Sequence, residues 1–329
     1  MSSASGECIN LVADIGGTNI RLAITSANNR LTDIQTYRCE KFSGLLQVIE
    51  QYMTEKQLKG QKVNACLAIA CPVDNDLISM TNLPWKFSQH ELKQQLDLNS
   101  LCLINDYTAI AMAIPFLSNE QKVQIGSGES TADKAISVCG PGTGLGVATL
   151  VPMGNKWYCL SGEGGHVDFA PVDEVEIKIL QYLQERKGRV SYEQLLSGYG
   201  LEQIYQALTS LNGWKNSHSA VADKLSAEQI TARAIASTCP VCYQALSVFC
   251  GVLGSFAGNL ALTANSLGGV YIAGGIVPRF IEFIQQSDFR GRFDTKGRLS
   301  SLTQQTPTYV ISEKQPGLLG ASAYLSQTL

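Results

Sequence analysis

Charge is scarce in this chain: Asp, Glu, Lys and Arg together make up 16% of its 329 residues. Basic residues number 25 against 28 acidic ones, a net charge of −3, and Lys and Arg form no run. A chain without a basic surplus is not built for nucleic acid or an anionic membrane surface. Histidine occurs three times, and no second His or Cys stands at ligand spacing, so no zinc centre is predicted. No G-x-x-x-x-G-K-[ST] occurs, which excludes a P-loop. No G-x-G-x-x-G opens a helix after a strand, which argues against a Rossmann dinucleotide site. Met1–Glu7 is small and polar and carries an acid, so no secretory leader is expected. Ten cysteines lie scattered through apolar stretches, too thinly for a disulfide-stapled domain. Reduced thiols in a cytoplasmic protein are the expectation.

No charged residue stands between Arg233 and Arg279, and Tyr243–Asn265 reads as one long helix within that span. Gln244, Ser247, Ser255, Asn259, Thr263 and Asn265 interrupt its apolar run, and Gly251, Gly254 and Gly258 lower its hydropathy. It is read as a packed central helix whose glycines admit a close neighbour, not as a membrane span.

The length suits two domains. Strands are predicted at Ile9–Ile15, Ile20–Ser26, Leu31–Arg38, Val63–Ala70, Leu77–Thr81 and Leu101–Asn105. Apolar residues recur at helical spacing over Phe42–Lys59. Ser88–Glu91 has the capping-box pattern, and Tyr107–Phe116 reads as a helix. The arrangement then begins again: strand Ala135–Cys139, a glycine turn, strand Leu145–Val151 and a third at Trp157–Leu160. Strand–glycine turn–strand twice in one chain suggests an internal duplication. Later segments are mainly helical, with Asp173 as an N-cap, Gly188 as a stop, and capping boxes at Ser191–Gln194 and Ser226–Gln229. Gly269–Ala273 and Thr308–Ser312 read as late strands, and Pro316–Gln327 as a closing helix. No Ser/Gly- or Pro-rich linker separates the halves. The boundary is placed near Pro115–Lys122, with the last strand and helix returning to the first domain. The expected division is 1–117 plus 307–329 as a small α/β domain and 118–306 as a large one.

Two glycine turns pair backbone amides with a threonine hydroxyl: Asp14-Ile15-Gly16-Gly17-Thr18-Asn19 and Gly142-Thr143-Gly144. Without a Cβ, glycine lets N–H groups approach phosphate oxygens. A ligand-free hairpin turn explains either one alone; the pair, with Gly274-Gly275, suits a triphosphate held from two sides. Asn105-Asp106 follows a buried strand and precedes a helix, where α/β folds place ligands. Asp106 is suited to accept a hydroxyl proton, and helix N-capping is the bland alternative. Ser161–Asp168 collects Glu163, His166 and Asp168 on a glycine-rich loop that suits vicinal hydroxyls. Glu193 falls in the first turn of a predicted helix, where a helix-dipole contact is the bland reading. Cys239-Pro240-Val241-Cys242 has neither a partner pair for zinc nor a thioredoxin-like context.

Together these motifs resemble the bacterial-type glucokinases of the hexokinase–actin–Hsp70 superfamily. The match runs in order through DIGGTNIR (14–21), AIACP (68–72), MTNLPWKF (80–87), INDYTA (104–109), GTGLG (142–146), GEGGHVDFAP (162–171), VSYEQLLSG (190–198), IAGGIVPRF (272–280) and PGLLG (316–320). The resemblance implies a two-lobed α/β fold of the ribonuclease H-like, actin/hexokinase type, with an interlobe cleft. It implies an ATP- and Mg²⁺-dependent enzyme that phosphorylates the 6-hydroxyl of glucose at the entry to glycolysis, working as a cytoplasmic homodimer. Asp106 then matches the catalytic base, and Asn105, Glu163, His166 and Glu193 match sugar ligands. Ala13, Asp14, Ile15, Gly16, Gly17, Thr18 and Asn19 match the first phosphate region, with Asp14 toward Mg²⁺. Gly142, Thr143 and Gly144 match the second phosphate turn, and Gly274 and Gly275 the adenosine side. The family often has Gly-Asp where this chain has Ala13-Asp14, a change that leaves the carboxylate in place. A kinase of fructose, mannose or an N-acetylhexosamine on the same fold is the second reading. A non-catalytic sugar sensor is the third, disfavoured by the acidic charge, by an intact Asp106, and by a first strand beginning near Ile9.

Overall fold

The computed structural model describes residues 8–26, 28–211 and 224–328; the leaderless reading of Met1–Glu7 lies outside them. The chain divides into two compact units. One comprises Met1–Ser118, Gly154–Ser161 and Glu313–Leu329; the other comprises Asn119–Met153 and Gly162–Ser312.

The first unit begins with strands β1 (Ile9–Ile15), β2 (Asn19–Thr25) and β3 (Leu31–Arg38), then helix α1 (Leu45–Glu55) and strand β4 (Val63–Ile69). A small hairpin, β5 (Leu77–Ser79) and β6 (Lys86–Ser88), leads into α2 (Gln89–Gln95), β7 (Ser100–Asn105) and α3 (Asp106–Ala113). The sheet order is β3-β2-β1-β4-β7. β1 pairs antiparallel with β2, while β1, β4 and β7 run parallel. β4 is buried at every position, as expected of a strand covered on both faces. Ser88 caps α2 by accepting the Glu91 N–H at 3.1 Å. The C-terminal helix Pro316–Thr328 packs Leu318, Ala321 and Leu325 against Val12, Cys66 and Ala109.

The second unit holds β8 (Lys122–Ile125), β9 (Ile136–Pro141), β10 (Leu145–Met153), α4 (Glu174–Lys187), α5 (Gly198–Leu211), α6 (Ala227–Ile235) and α7 (Pro240–Ala264). It continues with β11 (Val270–Ile272), α8 (Ile281–Gln286), α9 (Phe289–Asp294), α10 (Ser300–Gln305) and β12 (Thr308–Ile311). Residues Lys156–Gly162 also form a strand, which up to Ser161 is grouped with the first unit, contrary to the expected 118–306 division. The unit's strands run β10-β9-β11-β12-β8. β9 and β10 form an antiparallel hairpin, and β9, β11 and β12 are parallel. A hairpin followed by two parallel strands therefore occurs in both units, as the sequence duplication suggested. The strand Thr308–Ile311 pairs with β11 and β8. It belongs to the second unit, contrary to the expectation that it returns to the first with the helix; its buried backbone finds its ladder partners there.

Helix α7 is apolar on nearly all sides because it is the core of its unit, with Phe249, Leu253 and Phe256 fully or almost fully buried. Among the described residues it alone is long and apolar enough to cross a membrane, and 72% of its most apolar window is buried. Its glycines serve the predicted close approach: a Cβ at Gly258 would lie 2.6 Å from the Phe293 carbonyl oxygen, and one at Gly254 would meet that of Phe289. Cys239 caps it, its Sγ accepting the Cys242 N–H at 3.4 Å, which gives the first cysteine of the C-x-x-C pair a structural place. All ten cysteines are free thiols. Ser226 and Gln229 form a full capping box, but Ser191 caps nothing: Tyr192–Gln194 is a single 3₁₀ turn, and the helix begins at Gly198.

Candidate active site

In the first unit the predicted groups gather at the carboxyl edge of the parallel strands. Register pairs Ile15 with Ile69 and Ile69 with Asn105, so the ends of β1, β4 and β7 are level. Open α/β sheets bind ligands at this edge. Asn105 ends β7, and its side-chain oxygen accepts the Tyr107 N–H at 2.9 Å. Asn105 is thus the helix cap, and Asp106 is the first residue of α3, with Oδ1 3.0 Å from the same N–H. Asn105 rather than Asp106 holds the N-cap position, and both side chains accept the Tyr107 N–H. Asp106 lies close enough to the Cys71 thiol to add to the upward shift that burial imposes on it.

Asp14 lies beside the β1–β2 turn, partly buried, with Arg21 Nη1 3.3 Å from its carboxylate. Burial raises its pKa, and Arg21 opposes that only in part. A Cβ on Gly317 would fall 2.8 Å from the Asp14 Cγ, so the first turn of the C-terminal helix rests directly on this carboxylate. The turn is closed by the Gly16 N–H on the Asn19 carbonyl at 3.1 Å. The Cys39 N–H donates to the Thr18 carbonyl at 2.9 Å, and a Cβ on Gly17 would sit 2.9 Å from that of Asn82. Thr18 is exposed at the tip. Ala13 and Ile15, by contrast, are fully buried and paired with strands on both sides. They form the floor beneath the turn and offer no surface to a phosphate, which corrects their place among the ligands.

In the second unit Gly142-Thr143-Gly144 joins β9 to β10, with the Gly142 N–H on the Gly144 carbonyl at 2.8 Å. Glu193 reaches this turn: its Oε2 accepts the Leu145 N–H at 2.9 Å. His166 Nε2 stands 3.9 Å from the same oxygen. The His166 N–H donates to the Glu163 carbonyl at 3.0 Å, closing the 3₁₀ turn Gly164–His166, and the side chains of Glu163 and His166 are exposed. Gly165 has no room for a side chain, because a Cβ would run into the Leu145 carbonyl. Asp168 is engaged elsewhere, 2.7 Å from Arg189. Gly274 follows β11 with φ +85°, and a Cβ there would meet the Pro141 carbonyl; Gly275 is open to solvent. Both sit beside the end of β9, where the Ala273 N–H donates to the Cys139 carbonyl at 2.8 Å.

The second unit therefore brings Gly142–Gly144, Glu193 and His166 together, and the first brings Asp14, its turn, Asn105 and Asp106 to one sheet edge. Sequence reasoning passed over Gly317, Asn82, Cys39 and Gly198, whose N–H donates to the Gly142 carbonyl at 2.9 Å. Asn82, Gly198 and Gly317 stand inside the quoted motifs and carried a signal there; Cys39 carried none.

A glycine turn in each of two similar α/β units, with Asp106 at a strand end, is the arrangement expected of a sugar kinase. The glucokinase family model matches residues 11–328. A glucokinase from Colwellia psychrerythraea (strain 34H / ATCC BAA-681) is 65% identical over 326 residues, 99% of this chain and 98% of that protein. The crystal structure of a glucokinase from an Antarctic psychrotroph superposes with TM-score 0.88 at 37% identity, covering 98% of this chain and 99% of the other. A ROK family glucokinase from Streptomyces griseus, crystallised with glucose and AMPPNP, shares the fold at TM-score 0.61 and 16% identity, with 95% and 98% covered. The chain belongs to the glucokinase family, whose reaction is the phosphorylation of glucose by ATP.

Proposed function

We propose that this enzyme moves the γ-phosphoryl group of ATP to the 6-hydroxyl of glucose with Asp106 as base. The observation that carries the reading is the division of labour at the first sheet edge: Asn105 caps the helix, and Asp106 stands beside it on the first turn. The carboxylate of Asp106 takes the hydroxyl proton as the sugar oxygen bonds to the γ-phosphorus and the bond to the β–γ bridging oxygen breaks. Asn105, Glu163, His166 and Glu193 hold the sugar hydroxyls. The Gly16–Asn19 and Gly142–Gly144 turns hold phosphate oxygens with backbone N–H groups, and Gly274-Gly275 lies toward the adenosine. Phosphoryl transfer of this kind needs alignment and charge neutralisation more than covalent help.

Mg²⁺ fits the first unit. Asp14 is a hard oxygen donor whose negative charge is raised in energy by burial and met by Arg21 at 3.3 Å. Asp14 would hold the ion, directly or through water, and when bound the ion neutralises charge on the phosphates. Asp106, Asn105 and Asp14 belong to one unit, and Glu163, His166, Glu193 and Gly142–Gly144 to the other. A cytoplasmic homodimer feeding glycolysis completes the reading, on the strength of the resemblance; sedimentation of the purified protein tests the dimer.

The deciding experiment is a coupled assay with ATP and Mg²⁺ on glucose, fructose, mannose and N-acetylglucosamine. Strong turnover on glucose alone is expected. Turnover confined to another sugar overturns the specificity, and a folded protein idle on all four overturns catalysis.

A further inference from the structure

We propose that Glu193 is a positioning residue for nucleotide binding: it braces the Gly142–Gly144 turn, beyond its place among the sugar ligands. The inference rests on the reading of that turn as a phosphate cradle. Within the turn itself the Gly142 N–H meets the Gly144 carbonyl at 2.8 Å. Its outer supports come from one segment, residues 193–198. The Glu193 carboxylate accepts the Leu145 N–H at 2.9 Å, and the Gly198 N–H donates to the Gly142 carbonyl at 2.9 Å. The fit is tight. A Cβ on Gly144 would fall 2.6 Å from Glu193 Oε2, so the glycine makes room for the carboxylate as well as for a ligand.

The brace is anchored from behind. Tyr192, its neighbour, packs against Phe169 and Phe256 with ring centroids 5.6 and 4.7 Å away. The Tyr192 hydroxyl accepts from the Asn259 amide at 3.3 Å, and Lys296 donates to the Asn259 oxygen at 2.8 Å. Ser197 Oγ donates to the Glu193 carbonyl at 2.9 Å, which fixes the backbone on the other side. A side chain held this way positions a backbone turn without being free to follow it. The oxygen that holds Leu145 also faces His166 at 3.9 Å. One carboxylate oxygen thus holds the turn and faces His166.

Calorimetric titration with Mg²⁺ and a non-hydrolysable ATP analogue, in the absence of sugar, tests this on the full-length protein. Glu193→Ala should weaken nucleotide binding about fivefold to tenfold, the worth of one lost hydrogen bond. Glu193→Gln, whose amide oxygen still accepts from Leu145, should stay near the wild-type affinity. His166→Ala should keep nucleotide affinity and lose glucose affinity. Should Glu193→Ala not fold, Gly144→Ala pushes the carboxylate off Leu145 and should weaken nucleotide binding as well. Wild-type nucleotide affinity in Glu193→Ala or Gly144→Ala overturns the brace and leaves the kinase reading intact. A wild-type protein that binds no nucleotide overturns both.

Discussion

Asn105 caps the helix that begins at Asp106: its side-chain oxygen accepts the Tyr107 N–H at 2.9 Å. One dipeptide therefore ends a strand, starts a helix and offers a carboxylate at the sheet edge. Asp106→Asn preserves shape and removes the base. We expect kcat to fall about 10³-fold with glucose affinity largely kept, since a positioned base contributes about 10²- to 10⁴-fold. Steady-state kinetics with direct glucose titration checks this, and a near-normal kcat would remove Asp106 from its role.

The two duties of Asn105 can be separated. Asn105→Ser keeps a capping oxygen, whereas Asn105→Ala loses it at a cost of about 1 kcal/mol. The Ser variant should melt close to wild type and the Ala variant about one to two degrees lower, while both raise the KM for glucose. Equal melting temperatures for the two would show that the cap carries no stability.

Much of this was legible in the sequence, for physical reasons. Leu31–Arg38 and the C-terminal helix declared themselves by periodicity and turn residues, and α4 by Asp173 and Gly188 at its ends. Glu163 and His166 stood out because polar groups gathered on a glycine-rich loop suit vicinal hydroxyls, and Asn105-Asp106 because it follows an apolar strand and precedes a helix. Ser191–Gln194 misled because its capping pattern sits on a 3₁₀ turn, where Tyr192 is fixed by aromatic packing that no local pattern records. Thr308–Ile311 misled for a related reason. Its assignment depends on which distant strands it pairs with, and β11 and β8 are remote in sequence. Ala13 and Ile15 alternate with Asp14 along β1, so their burial followed from strand period two once the register was known.

Gly317 meets Asp14 where neither local helix propensity nor turn chemistry requires a glycine. Alanine in a helix interior is favoured over glycine by about 1 kcal/mol. Here the added methyl would stand 2.8 Å from the Asp14 Cγ and must displace the carboxylate. Gly317→Ala should therefore keep its melting temperature within a few degrees of wild type while the KM for Mg-ATP rises severalfold. Unchanged kinetics would show that the Asp14 side chain has room to move without consequence.

Asp14 also carries a stability signature. Burial raises its pKa above the ordinary 3.8, with Arg21 opposing. In the native state the group then keeps its proton to higher pH than in the unfolded chain. Stability contributed by the protonated form is present at low pH and is lost as pH climbs from the unfolded value through the raised folded one. At neutral pH the native protein therefore bears the cost of a poorly compensated carboxylate. Asp14→Asn removes that cost, so its melting temperature should match or exceed that of wild type at pH 7. The difference should shrink as pH is lowered toward 4, while ATP-dependent turnover is lost at every pH. Thermal melts of both proteins across this range, without nucleotide, make the comparison. An Asn variant that is less stable at pH 7 would mean that Arg21 more than compensates the buried charge, and that Asp14 is a structural ion pair before it is anything else.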